Sequence, residues 1–234
     1  FLGPITLQEA LAKSINTVAA SVADEVGRPK VAATARRLGI ATQISTDPAM
    51  ALGTSLVTPL EMAQAYDAFS NGGNRVQPWA IERIRTVYSG RVIWTHPAPT
   101  TQPSIGNPAL SELNQMLRQV LVSGTGVKAA IPGYDLAGKT GTTSDFRDAW
   151  FCGFTGGTTT VVWMGRDDNA PMRGITGGTA PAEFWKAYMK VALKRTPPTP
   201  IPPGPPAPPP PPPAAPPIGS PPGATNSAAP AGAT

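Results

Sequence analysis

The chain has 234 residues, a formal net charge of +5, one cysteine and one histidine. That length suits one domain; a single cysteine excludes an internal disulfide, and a lone histidine, His96 in a turn-like stretch before Pro97, gives no basis for a His-built metal centre or a Cys–His nucleophile. The basic residues are dispersed as Arg36-Arg37, Arg83 with Arg85, and Lys190 with Lys194 and Arg195, which reads as solvated faces and excludes a nucleic-acid stripe, and no apolar run reaches membrane-spanning length.

With Phe1 in place of an initiating Met and no signal peptide, the chain reads as a piece of something longer. Thr6-Leu7-Gln8-Glu9 is a capping box, and it opens a helical stripe of Leu7, Leu11, Ile15, Val18, Val22 and Val26 that closes at Gly27. A kink or short loop is expected at residues 13–17, where Ser, Asn and Thr compete for backbone hydrogen bonds. Arg28–Leu38 forms a second helix ended by Gly39. Thr58-Pro59-Leu60-Glu61 combines a capping box with proline at the first helical position, so a third helix runs to Asn71-Gly72-Gly73 and packs Leu60, Met62, Ala63, Ala65, Tyr66, Ala68 and Phe69.

Alternation then sets in, with Ser89-Gly90 dividing residues 81–87 from 92–94 as a hairpin. Asn107-Pro108 opens a helix that turns Leu110, Leu113, Leu117, Val120 and Leu121 inward and closes at Gly124 and Gly126. The strand at Lys139, residues 149–154 and residues 158–164 follow one another through short turns such as Thr155-Gly156-Gly157, which predicts an antiparallel meander, with Cys152 a small buried hydrophobe inside it. Asp167-Asp168 reads as a solvated turn, without further ligands for an ion. Thr179-Ala180-Pro181 starts the last helix, with Phe184, Trp185, Tyr188, Met189 and Leu193 on its apolar side. Helices before and after an antiparallel sheet predict an α+β layered domain. Beyond Thr196 stand 18 of the 30 prolines and no charged residue, so residues 196–234 read as a disordered Pro/Ala/Gly-rich tail of polyproline II character.

Residues 133–143 satisfy two catalytic patterns. From Gly133 they read G-x-x-x-x-G-K-T, a phosphate-binding P-loop; from Lys139 they read K-T-G-T-T, the substrate strand of penicillin-recognising acyl transferases. A P-loop needs a buried strand before its first glycine and a helix beginning at the Lys-Thr. Pro132 ends the preceding segment, and Gly141, Thr142, Thr143 and Ser144 are poor helix formers, whereas the β-branched threonines suit a strand. A P-loop nucleotidase is therefore the weaker alternative. A non-catalytic interaction module with a proline-rich tail is another.

A lone K-[ST]-G arises by chance in about one chain in ten of this length. The ordered set carries more, since Ser14-Ile15-Asn16 precedes Lys139-Thr140-Gly141 far downstream. With it stand residues 6–17, residues 51–63, Ser123-Gly124-Thr125-Gly126, Asp148-Ala149-Trp150-Phe151, Val162-Trp163-Met164-Gly165 and Thr176-Gly177-Gly178. Through these segments residues 1–195 resemble the C-terminal part of the transpeptidase domain of class A, bifunctional penicillin-binding proteins. A serine β-lactamase shares the Lys-Thr-Gly logic, but the Trp-rich strands and Pro-rich extension look more like the bifunctional group.

That resemblance implies a β-lactamase/transpeptidase-like antiparallel sheet with packed helices, incomplete here. It implies peptidoglycan D,D-transpeptidation by serine acyl transfer, with a D-Ala-D-Ala stem peptide and β-lactams as ligands, and no cofactor, metal or nucleic acid. By resemblance Ser14 bridges the catalytic lysine and the departing amine, Asn16 bonds the substrate amide, and Lys139 places a cation beside Ser14 for the terminal carboxylate. Thr140 and Thr142 hydroxyls bind that carboxylate, and the Thr142 N–H, on a strand edge that Gly141 keeps open, is an oxyanion donor. No S-x-x-K occurs in the sequence, so the nucleophile is expected upstream, together with a glycosyltransferase domain and a membrane anchor. This polypeptide alone is expected to be inactive. The intact protein is expected on the extracytoplasmic side of the bacterial cytoplasmic membrane, beside cell-wall synthesis partners.

Overall fold

The structure, a computed structural model, describes residues 3–195 and 199–202; most of the proline-rich stretch read as a disordered tail lies outside the described residues. The first predicted helix is two helices, α1 (Leu7–Ala12) and α2 (Asn16–Val26). Thr6 Oγ1 accepts from Glu9 N at 3.2 Å, but the Glu9 carboxylate bonds Lys13 Nζ at 2.7 Å instead of returning to the cap, so only one arm of the box forms. The chain breaks where expected, at Ser14, which holds a φ of 55°. The stripe behind that helix is not all covered, for Leu7, Val22 and Val26 are exposed.

Helix α3 (Arg28–Leu38) has the predicted bounds, set by Gly27 and Gly39, both at positive φ. In α4 (Pro59–Ser70) both arms of the Thr58–Glu61 box form. Glu61 also accepts from the backbone N–H groups of Ala41 and Thr42 at 2.9 and 2.7 Å, tying the loop after α3 to the start of α4. The Thr58 and Thr42 amides hold its carboxyl down to about 2. Leu60, expected in the packing set, points to solvent, while Ala65, Ala68 and Phe69 are buried.

Two antiparallel ribbons follow, built from β1 (Asn74–Arg75), β2 (Arg83–Arg85), β3 (Val92–Thr95) and β4 (Gln102–Pro103), with β1 on β4 and β2 on β3. The strand expected over residues 81–87 shortens to three residues. Every residue of β2 and β3 is exposed, so burial gives the ladder nothing with which to extend.

Helix α5 (Ala109–Val122) buries Leu110, Leu117, Val120 and Leu121. The central sheet is the predicted meander: β5 (Ala137–Thr142), β6 (Asp148–Thr155) and β7 (Thr158–Gly165), antiparallel in the order β5-β6-β7. Alternate residues of β6 enter two cores. Phe151 meets Trp185 of α6 (Ala180–Ala192) edge to face, with centroids 5.2 Å apart, and Trp185 Nε1 donates to Thr160 O at 3.0 Å. Phe154 packs on the other side with Tyr66 and Phe69 of α4. Within α6 the expected apolar side is corrected, because Trp185, Met189 and Leu193 are buried with Ala182 whereas Phe184 and Tyr188 are more than half exposed.

After α6 the chain returns to the sheet. Thr199 pairs with Gly156 at the β6–β7 turn, and Ile201 is only 2% exposed within the core of α4, α5 and Phe154. Arg118 grips Asp135 with two bonds of 2.7 and 2.9 Å, and Asp135 accepts from Ile201 N at 2.9 Å. Ordered packing thus resumes beyond the compositional break at Thr196, because one isoleucine finds a buried slot and its backbone a charged partner. Ile201→Ala is expected to cost about 2–4 kcal/mol in urea unfolding, the range for emptying such a site. An unchanged midpoint would show the strap to be dispensable.

Candidate active site

Strand β5 is the sheet edge that carries Lys139-Thr140-Gly141-Thr142. Thr143 N turns inward to Asp148 O at 3.0 Å, so by antiparallel alternation the backbone groups of Thr142 and Thr140 face the unpaired side. Gly138-Lys139-Thr140 is extended and no helix begins at Thr140. The phosphate-loop alternative is removed, for a P-loop needs a helix N-terminus there.

The Lys139 side chain shares a sheet face with its cross-strand partner Cys152 and lies half-buried. Burial pulls its ammonium down to about 8, pushes the Cys152 thiol up to about 12, and pushes the Tyr66 phenol up further. Lys139 Nζ donates to Ser14 Oγ at 2.9 Å, to Thr140 O at 3.0 Å and to Thr140 Oγ1 at 3.4 Å. The two ends of the ordered pair read from the sequence therefore meet across 125 residues. Lys139 is neither a solvated strand residue nor a P-loop lysine.

The Ser14 turn explains how. Its left-handed backbone is unusual for serine and costs about 1 kcal/mol or more, and it is fixed by Ser14 N to Leu11 O (3.1 Å) and Ile15 N to Ala10 O (2.9 Å). Asn16 follows as the first residue of α2, exposed, with no side-chain hydrogen bond among the described residues. Ser14, Asn16, Lys139, Thr140, Gly141 and Thr142 all line one cavity of about 990 Å³, with Thr125, Thr176 and Thr179 and with apolar residues such as Leu11, Val18, Leu52 and Met62 on its other walls.

Two supports were not legible as site residues. Thr125 N donates to Ala12 O at 3.0 Å, and Thr125 Oγ1 lies 2.6 Å from Thr140 Oγ1, so the loop after α5 joins the Ser14 turn to β5. Gly177 N donates to Thr142 Oγ1 at 3.0 Å. A Cβ on Gly177 would strike Trp150 O and come within 2.5 Å of Gly141 O. Both residues lie in short segments that the resemblance marks without assigning a role, and their partners are distant in sequence.

A three-stranded antiparallel sheet backed by helices, with a Lys-Thr-Gly edge strand closing on a serine between two helices, places the domain in the β-lactamase/transpeptidase class. The family model described as penicillin binding protein transpeptidase domain matches residues 2–190. Penicillin-binding protein 1A of Aquifex aeolicus is 36% identical over 196 residues, covering 83% of this chain and 27% of that protein. Penicillin-binding protein 1B of Escherichia coli is 34% identical over 202 residues, covering 85% and 23%. The crystal structure of penicillin-binding protein 1A from Haemophilus influenzae superposes with a TM-score of 0.75 at 28% identity, covering 88% of this chain and 37% of that one. The chain belongs to the penicillin-binding transpeptidase domain family, and it spans about a quarter of the length of these curated relatives.

Proposed function

We propose that this chain forms the substrate-clamping wall of a serine-type D,D-transpeptidase that cross-links peptidoglycan, completed by an S-x-x-K nucleophile outside this sequence. The observation that carries the reading is the Lys139 Nζ–Ser14 Oγ bond of 2.9 Å inside a cavity of substrate size. Acyl transfer needs a proton path, a clamp for the carboxylate of D-Ala-D-Ala or of a β-lactam, and oxyanion donors. Ser14 relays the proton from the nucleophile side to the departing amine, oriented by the Lys139 cation. Asn16, with free amide groups, bonds the stem-peptide amide. Thr142 supplies a hydroxyl for the carboxylate, Thr140 joins the Lys139 cation to that end of the cleft, Gly141 keeps the approach open, and the outward Thr142 N–H is an oxyanion donor. Such a domain works on the extracytoplasmic side of the bacterial cytoplasmic membrane, where its cell-wall substrate lies.

The test is covalent labelling by a fluorescent penicillin. The full-length protein should give a heat-stable band, and residues 1–234 alone should give none. A labelled band from residues 1–234 alone would place the nucleophile inside this sequence and overturn the reading.

A pH dependence follows. The free protein loses its clamp cation as pH rises through about 8, because Lys139 deprotonates there, while the Cys152 thiol stays neutral up to about 12. The second-order acylation rate of the full-length protein should therefore fall on an alkaline limb near pH 8. In Lys139→Arg, whose guanidinium stays charged, the limb should move upward. An identical limb in that variant would assign it to another group.

A further inference from the structure

Thr125 is exposed at the cavity wall, and its hydroxyl is 2.6 Å from that of Thr140. The geometry of the pair leaves open which oxygen donates. Lys139 decides it. An ammonium group only donates, and its three acceptors within reach are Ser14 Oγ, Thr140 O and Thr140 Oγ1. A Thr140 oxygen that already accepts from the cation is a poorer acceptor for a second hydrogen and a better donor, which favours its own hydrogen on the line to Thr125 Oγ1. Thr125 Oγ1 then accepts, and its hydrogen is free to point into the cavity. Chains of this kind polarise along their length, so the last hydroxyl is a stronger donor than an isolated threonine.

Thr142 is set up alike from the other side, since its Oγ1 accepts from Gly177 N and its hydrogen remains available. The loop that holds Thr125 is fixed at several points. Thr125 N bonds Ala12 O, a Cβ on Gly124 would strike that same carbonyl, and a Cβ on Gly178 would strike Thr125 O. The hydroxyl is therefore pre-positioned and does not await substrate.

We propose that Thr125 is a substrate-binding residue, which presents the terminal hydrogen of a Lys139–Thr140–Thr125 relay to the carboxylate of the stem peptide or β-lactam, with Thr142 as the second hydroxyl donor. Thr140 carries the polarity of Lys139 outward. The inference rests on the acyl-transfer reading above, and it extends the clamp by a residue from another loop.

The test uses the full-length protein with benzylpenicillin and its methyl ester, which lacks the anionic carboxylate. In Thr125→Val the acid should acylate about ten- to a hundredfold more slowly at subsaturating concentration, the fold-change expected for losing a hydrogen bond to a charged group, with the rate constant at saturation unchanged. The ester should be unaffected, so the acid-to-ester ratio falls within one protein sample and is insensitive to partial misfolding. Thr125→Ser should restore the ratio to within about threefold, since it keeps the hydroxyl. Equal losses for acid and ester, or a Thr125→Ser variant as impaired as Thr125→Val, would overturn the inference while leaving the acyl-transfer reading intact. Wild-type protein that neither compound acylates would overturn both.

Discussion

Replacing Lys139 by alanine in the full-length protein is expected to lower penicillin acylation by on the order of 10³-fold without lowering thermal stability. The loss follows from what the ammonium serves, for Ser14 Oγ, Thr140 O and Thr140 Oγ1 all lose their shared donor. Removing one pre-organised donor from such a site is worth about 10²–10³ in rate, and here the relay toward Thr125 is lost as well. Stability should move the other way. Burial brings the Lys139 ammonium down from 10.5 to about 8, so holding that charge at neutral pH costs the fold about 3 kcal/mol. Alanine gives up the packing of the lysine stem but releases this cost, a trade seen where a binding site is kept at the expense of folding. Acylation rates and thermal melts on the same preparations check both halves. A parallel loss of activity and melting temperature would make Lys139 a structural residue.

Gly177→Ala is expected to unfold or distort the site, at a cost of about 3 kcal/mol or more. Gly177 is buried on the face of the sheet where β5 and β6 pair, and its added Cβ would strike Trp150 O and lie 2.5 Å from Gly141 O and 2.8 Å from Gly141 N. These are backbone atoms of two paired strands, which cannot step aside as a side-chain tip can. Any shift that relieves the clash also breaks the Gly177 N to Thr142 Oγ1 bond, so carboxylate affinity should fall together with stability. Gly174→Ala is the control. It has a φ of 73° and open space around it, so only backbone strain of about 1 kcal/mol opposes it. Urea unfolding of the two variants should separate them clearly; equal midpoints would mean that the loop of residues 176–179 gives way without engaging β5.

What the sequence disclosed and what it hid divide along physical lines. Helix α3 was readable residue by residue because Gly27 and Gly39 punctuate an ordinary amphipathic run, and α4 because Thr58, Pro59 and Glu61 are local signals acting over one turn. The meander was readable because its turns are short. Phe184 and Tyr188 were misplaced because a 3.6-residue aromatic stripe looks the same whether or not another element covers it. The hairpin strands were overdrawn because alternation describes a strand that has a buried face, and β2 has none. Ser14 and Lys139 could be paired from the sequence only through the order of their motifs, since no local rule joins residues 125 positions apart. Thr125 and Gly177 were beyond reach for the same reason, as each acts through one bond to a strand 15 or 35 residues away.

The burial of Cys152 opposite Lys139 gives strand β5 a clock of its own. Only a thiolate reacts with thiol reagents, and here the group is 3% exposed with its pKa pushed up to about 12. While β5 stays zipped to β6, the sequence's one cysteine is silent; once the ladder opens, it returns to water and to an ordinary thiol pKa. The labelling rate therefore counts openings that uncover the sheet face shared by Cys152 and Lys139, and a ligand bound across β5 is expected to slow that count by the factor by which it stabilises the closed state.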